Sequence, residues 1–241
     1  MKFHYSNLLG SFSNLTHAYT TKKSSNLAFH VNDDENQVKL NHELLASELK
    51  YELKTLVRMK QIHSDIVHVV QESDNFSYPP TCDALITDRK NTPLMVMVAD
   101  CSPILFYDSV KNIIAVAHAG RAGAFKNIVS NVIDSFRDNF SSDVKDIYVS
   151  TGANIKSCCY EVGYEIYEES KVLNLEYALD KKDNSYYLDI DKILKNQLLK
   201  CGIQKEHIEI SAECTRCHSD KYFSYRADSK CGRFAGVLML I

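Results

Sequence analysis

Leu94-Met-Val-Met-Val98-Ala99-Asp100-Cys101-Ser102-Pro103-Ile104-Leu-Phe106, continued by Tyr107–Asn112 and Ile113-Ile-Ala-Val-Ala117-His118, is the stretch that decides the fold. Leu94–Val98, Ile104–Phe106 and Ile113–Ala117 read as short apolar strands. The segment between the last two is short, mostly polar and turn-rich, which predicts a hairpin. A turn about Val110 sets position 101 opposite 119 and brings Cys101 and His118 side by side at the open end of the hairpin. Opposed residues there have Cβ atoms about 4.5–5.5 Å apart, so one thiolate and one imidazole can share a zinc ion. His63, within Gln61-Ile62-His63, is the third candidate ligand. Three protein ligands with one open position is the pattern of a catalytic zinc.

Around this centre the chain mixes helices with strands, without a clean βαβ alternation. Asp33-Asp34 precede an expected helix of about 15 residues, with Val38, Leu40, Leu44, Leu45 and Leu49 as its apolar stripe. Phe125, Ile128, Val129, Val132, Ile133 and Phe136 fall at helical spacing, and Ile190–Cys201 reads as a helix stopped by Gly202. Ile66–Val70, Ala84–Thr87, Asp146–Ser150, His207–Ser211 and Ala235–Ile241 are the remaining strand candidates. Hairpins mixed with amphipathic helices predict a mixed α+β layered fold. With no repeat, linker or low-complexity stretch, residues 1–241 are expected to form a single domain.

Composition narrows the function. At 241 residues and 45% apolar the chain can bury a substantial core. A net charge of −3 without long basic runs argues against a nucleic-acid partner. No apolar stretch approaches the roughly 20 residues of a membrane span. Met1–Ser6 lacks the apolar core of a leader, so a cytoplasmic, reducing setting is expected. The eight cysteines are then candidates for metal binding or catalysis before disulfides. Cys158-Cys159 are adjacent and poorly placed to bond each other. Cys214-Thr-Arg-Cys217-His218 has the spacing of a haem attachment site, which export would have to accompany; as a second zinc site it lacks a matching partner pair.

His118-Ala-Gly120-Arg121-Ala-Gly123 leads from the hairpin into the helix expected near Ala124. A strand, a glycine turn and a helix start together present free amides to an anion, and Arg121 adds a fixed positive charge. Phe223-Ser-Tyr-Arg226 sets an arginine between aromatics, suited to a phosphate or an aromatic base.

Several motifs in one order also resemble a known family. Ser25-Asn-Leu-Ala-Phe-His-Val-Asn-Asp-Asp34, Gln61-Ile-His63, Asp83-Ala-Leu-Ile-Thr87, Ala99-Asp-Cys101-Ser-Pro103, Ala117-His-Ala-Gly120, Cys158-Cys-Tyr-Glu-Val162, Cys214-Thr-Arg-Cys217-His218 and Phe223-Ser-Tyr-Arg226 together resemble the bacterial YfiH-like family, long called polyphenol oxidases or laccase-domain proteins. The resemblance spans nearly the whole chain. It implies stacked mixed sheets flanked by helices, and one zinc ion on His63, Cys101 and His118. It also implies phosphorolysis of adenosine, inosine or guanosine to free base and ribose 1-phosphate, with methylthioadenosine cleavage and adenosine deamination as further activities. Nucleosides and phosphate are then the expected partners, for a monomer or homodimer.

Relatives usually read His-Ala-Gly-Trp-Arg-Gly, so Arg121 stands at the tryptophan position and Ala122 at the arginine position. Gly120, Arg121, Gly123 and Arg226 are the expected phosphate contacts, and Asp100 and Glu161 the expected acid/base residues. Three alternatives compete: a copper-dependent phenol oxidase, a metal-free cysteine hydrolase pairing Cys101 with His118, and a non-enzymatic zinc-binding protein. The first would need many His-x-His ligands, and the chain has none.

Overall fold

Residues 3–241 are described by the computed structural model. In chain order the elements are β1 (Leu15–Tyr19), α1 (Glu35–Leu49), β2 (Val57–Arg58), β3 (Val67–Val69), β4 (Ala84–Thr87), β5 (Leu94–Val98), β6 (Ser102–Asp108), β7 (Ile113–Ala119) and α2 (Arg121–Phe125). There follow α3 (Ile128–Phe140), β8 (Ile147–Thr151), β9 (Glu161–Val162), α4 (Tyr164–Val172), β10 (Leu179–Lys182), β11 (Ser185–Leu188), α5 (Ile190–Lys200), β12 (Ile208–Ile210) and β13 (Phe234–Leu240). A four-stranded sheet runs β1-β13-β5-β2, a six-stranded sheet β12-β8-β6-β7-β4-β3, and a small third sheet β10-β11-β9. Both larger sheets mix parallel and antiparallel pairs. The fold is therefore the expected mixed α+β arrangement.

Side-chain alternation explains the layering. Leu94, Val96 and Val98 of β5 pack against Leu105 and Tyr107 of β6 and Ile114 and Val116 of β7, filling the space between the two larger sheets. The intervening Met95 and Met97 face the other way, onto Leu45 and Leu49 of α1. Ile104 and Phe106 likewise leave the opposite face of β6, joining Val129, Val132 and Phe136 of α3 and Ile193 and Leu194 of α5. The order is helix, sheet, sheet, helices. Strands covered on both faces read as unbroken apolar runs, which is why the central ones are plain in the sequence. Each fully buried aliphatic or phenylalanine side chain contributes roughly 1.5–3 kcal/mol.

Two helices depart from the sequence pattern. The apolar series from Phe125 to Phe136 is not one helix, because Asn127 adopts a left-handed conformation (φ 62°) and separates α2 from α3. Helix α1 begins where expected, with the Asp34 side chain accepting from the Gln37 amide at 2.9 Å, but its buried face is rotated from the expected stripe. Leu40 and Leu44 are exposed, and Asn41 and His42 are buried instead. Hydrogen bonds make that possible: Asn41 donates to the Asn26 carbonyl at 2.8 Å and His42 Nε2 to the Leu27 carbonyl at 2.8 Å. Elements β1, β2, α4 and the small third sheet carry too little periodicity to be marked in the sequence.

Burial holds the His42 pKa down at about 4, against the smaller upward effect of the Leu27 hydrogen bond. Between that value and the ordinary 6.5, the unfolded chain binds a proton that the folded one does not. Stability therefore falls as pH drops through this window, by on the order of 3 kcal/mol for this group. Ring-proton NMR should give a His42 midpoint near 4, and urea unfolding should weaken across the same range; a midpoint near 6.5 would contradict the assignment.

Candidate active site

The centre of the molecule is the end of the β6–β7 hairpin. Asp108 pairs with Ile113, so Ser109–Asn112 make the turn. The Asp108 carboxylate accepts from the amides of Val110 at 2.9 Å and Lys111 at 2.8 Å, and Asn112 closes the turn in the left-handed region (φ 56°). The pairing that results is Pro103 with His118 and Ser102 with Ala119, one residue away from the register expected for a turn about Val110. The difference matters, because a one-residue slip exchanges the faces of a strand. Position 101 opposite 119 would have sent Cys101 and His118 to opposite faces. The observed register, extended one step, sets Cys101 beside Gly120 on the face of His118. A Cβ added to Gly120 would lie 2.7 Å from Cys101 Sγ, so only glycine permits this approach.

His63 reaches the same place from the loop before β3, itself in the left-handed region (φ 58°). Its ring lies 4.8 Å from that of His118, centroid to centroid, at 77°. Ligand-type atoms of His63, Cys101 and His118 all fall within 4.8 Å of one another. The structure thus brings together the three residues singled out for a metal.

Asp83 organises the triangle. Its fully buried carboxylate accepts from the backbone amides of Ile62, His63 and Ser64, from the Ser64 hydroxyl and from His118 Nδ1 at 2.8 Å. Its carbonyl also accepts from the His118 amide at 2.8 Å. Because a carboxylate only accepts, Nδ1 of His118 carries the proton and Nε2 is left for the thiol side. Burial opposes charge on Asp83, but the hydrogen bonds from His118 and Ser64 outweigh it and hold the carboxyl below its usual range. Burial likewise opposes charge on Cys101 and His118. Their mutual attraction, with hydrogen bonds from both histidines to the thiol and from His118 to Asp83, lowers the thiol to about 6 and raises the imidazole to about 9. These interactions favour the thiolate form of Cys101, the form required of a ligand or nucleophile.

The triangle lies in the wall of a cavity of about 540 Å³. Arg121, Arg226 and Arg233 line it, together with Tyr160, Tyr225 and His30. Arg226 lies over the Tyr160 ring, 5.3 Å to its centroid, and donates to the Glu161 carbonyl at 2.9 Å. Arg233 donates to the carbonyls of Cys231 and Gly232. Carbonyl acceptors orient a guanidinium without neutralising it. Arg121 is different, since it is paired with Glu169 at 2.6 Å.

Asp100 lines the cavity in a left-handed conformation (φ 84°). Its carboxylate accepts from the Thr215 hydroxyl and, at 2.7 Å, from the Arg226 amide, so it ties two loops together. Glu161 is exposed and outside the cavity lining, its carboxylate accepting from the Ser185 hydroxyl. Gly120 lines the cavity, but Gly123 is buried in the five-residue α2 away from it. His30 and Gln61 lie within motifs quoted above, but the sequence assigns no role to them or to Arg233. Gln61 is fixed by paired hydrogen bonds with the Met97 backbone at 2.8 and 2.9 Å, and nothing local to its sequence announces that partner.

A family model described as multi-copper polyphenol oxidoreductase laccase matches residues 11–241. The chain belongs to this family. Among curated relatives, a purine nucleoside phosphorylase of Clostridium acetobutylicum is 33% identical over 88% of this chain and 86% of its own length. The purine nucleoside phosphorylase YlmD of Bacillus subtilis is 29% identical over 90% of this chain and 82% of its own. Among solved structures, the Bacillus licheniformis hypothetical protein YfiH superposes with a TM-score of 0.89 at 31% identity, covering 94% of this chain and 93% of its own. YlmD from Geobacillus stearothermophilus gives 0.86 at 27% identity, covering 95% and 93%. The family match thus extends over residues 11–241, the cavity-lining residues included.

Exchanging the Asp83 carboxylate for an amide turns an N–H toward donors that need an acceptor. Asp83→Asn should lower unfolding stability by roughly 3 kcal/mol, read from urea midpoints at constant slope. A loss below about 0.5 kcal/mol, the range of ordinary surface changes, would show that the triangle does not depend on this residue.

Proposed function

We propose that this laccase-family chain is a zinc-dependent purine nucleoside phosphorylase, with His63, Cys101 and His118 as the metal ligands. The observation that carries the reading is the joining, in one cavity, of a two-imidazole, one-thiolate triangle with arginines free of carboxylate partners. The donor set fits zinc: a thiolate, and a histidine whose remote nitrogen is fixed by a buried carboxylate, are the ligand and support that zinc sites use. The names of the curated relatives support the same reaction class. A multi-copper oxidase is disfavoured on donor chemistry. Among the described residues the metal-type groups are this triangle and a cluster made only of cysteines, with no gathering of histidines for further coppers.

A zinc ion held there supplies Lewis-acid polarisation to a substrate atom beside it. The protein's own groups do the rest. Arg226 and Arg233 bind phosphate, and Arg121 lends charge to the extent that its pair with Glu169 opens. Tyr160 and Tyr225 bracket an aromatic base, and Asp100 positions Arg226 through its amide. Held in line with the sugar carbon, phosphate oxygen forms the new bond as the bond to the base breaks, giving ribose 1-phosphate. Of the two carboxylates expected to move a proton, only Asp100 adjoins the cavity, so proton delivery to the base is assigned to Asp100 or to the phosphate itself. The same cavity is the proposed site for adenosine deamination and methylthioadenosine cleavage.

Mass-spectrometric product analysis with inosine tests the reading. Free base and ribose 1-phosphate should form only when phosphate is present, and His118→Ala should lose both the metal of the His63–Cys101–His118 triangle and turnover. Arg226→Ala should raise the phosphate KM at least tenfold, about 1.4 kcal/mol, while zinc content stays unchanged. Base release without phosphate, or full turnover by His118→Ala, would contradict the proposal.

One observation favours a second reading. Asp83, His118 and Cys101 are ordered as an acid, base and nucleophile of a cysteine hydrolase. That reading needs no metal, so stripping the protein with a chelator separates the two: a hydrolase keeps its activity, and the metal enzyme loses it.

A further inference from the structure

Outside the cavity's own triangle, a second group of soft ligands has no place in the reaction. Cys158 and Cys159 leave the loop after β8, and Cys214 and Cys217 leave the loop after β12. All four sulfurs lie within 4.8 Å of one another. Sγ–Sγ separations are 3.7 Å for Cys158–Cys159, 3.6 Å for Cys158–Cys217 and 3.4 Å for Cys159–Cys217. None is a disulfide, whose sulfurs stand about 2.05 Å apart. Four sulfurs at Zn–S distances of about 2.3 Å, arranged tetrahedrally, are separated by about 3.8 Å. The observed spacings match that edge and are too short for a polynuclear iron–sulfur cluster, whose cysteines bind different irons.

The backbone around the cluster is shaped for anionic sulfur. The Lys156 amide donates to Cys214 Sγ at 3.5 Å, and the amides of Arg216 and Cys217 point to the same atom. The two segments are also joined directly, by the Asn154–Cys214 bridge and by the Thr215 amide on the Asn154 carbonyl at 3.0 Å. Turns hold each pair in place: Cys159 and Tyr160 amides on the Lys156 carbonyl, and the His218 amide on the Cys214 carbonyl. His218 itself, a candidate ligand on sequence spacing, is replaced in the cluster by the Cys158-Cys159 pair, the partner that the Cys214/Cys217 spacing lacked.

We propose that Cys158, Cys159, Cys214 and Cys217 bind a structural zinc ion that staples the two loops forming one wall of the cavity. Tyr160 directly follows Cys159, and Thr215, which holds Asp100, directly follows Cys214. The staple therefore sits one residue from groups that set the position of Arg226 over Tyr160. Closing all four positions with thiolates leaves no open site, which makes the role structural and not catalytic.

The test is metal stoichiometry by inductively coupled plasma mass spectrometry on protein purified under reducing conditions. Two zinc ions per chain are expected for the parent, one for His118→Ala, one for Cys217→Ser and none for the double variant. If Cys217→Ser holds as much zinc as the parent, the proposal fails. If His118→Ala and the parent hold the same single ion, and Cys217→Ser loses it, the staple stands and the metal reading of the catalytic triangle falls. Should Cys217→Ser not fold, X-ray absorption at the zinc edge of His118→Ala decides the matter. A shell of four sulfurs at about 2.3 Å supports the staple; a nitrogen or oxygen shell, iron or copper in place of zinc, or a disulfide with no ion overturns it.

Discussion

A buried carboxylate holds this structure's chemistry together. Asp83 has no exposed surface, and an isolated charge in that position would be too costly to keep. Five donors compensate it, and they come from the two segments that must meet: residues 62–64 and His118. The same bonds that satisfy the charge fold the loop that presents His63 in a left-handed conformation, and they fix which nitrogen of His118 is protonated. Stability and site geometry are thus one set of interactions. Removing the carboxylate disturbs the fold and the triangle together.

The layers around that residue explain how much of the protein the sequence discloses. Central strands β5, β6 and β7 are apolar on both faces, so their existence is plain. Their register is not, because it depends on the Asp108 side chain capping its own turn and on Asn112 accepting a left-handed conformation, details that no hydrophobic pattern encodes. A turn about Val110 would put Cys101 and His118 on opposite faces of the hairpin; the observed register, shifted by one residue, puts them on the same face. On α1 the apolar pattern points to Leu40 and Leu44, but the buried face includes Asn41 and His42, since backbone carbonyls of a distant loop make those polar groups acceptable inside. In the cavity, the triangle and Arg226 are legible through motifs. His30, Gln61 and Arg233 come from separate loops and acquire meaning only when folding brings them to one wall. Glu161, acidic and beside a motif tyrosine, turns outward because its strand pairs with β11.

Anion attraction and metal-type donors meet in this cavity with little competition. Arg226 and Arg233 are steered by carbonyls, and Asp100 is the one carboxylate among the described residues that line the cavity, already engaged in tying loops. Arg121 forms a pair with Glu169 on α4 and lies near Phe125, 5.6 Å from guanidinium carbon to ring centroid. Beside it in the cavity lining, Gly120 leaves room for the Cys101 sulfur. The cysteine cluster brings together the loops that carry Tyr160 and Arg226, two residues of the cavity lining.

The most direct measurement is a crystal structure of the full chain with phosphate and a non-reactive nucleoside analogue, phased for anomalous scattering above and below the zinc edge. The account predicts a zinc peak bonded to His63, Cys101 and His118, with phosphate on Arg226 and Arg233 and the base between Tyr160 and Tyr225. A triangle without an ion in zinc-replete protein, or phosphate bound away from these arginines, would contradict it.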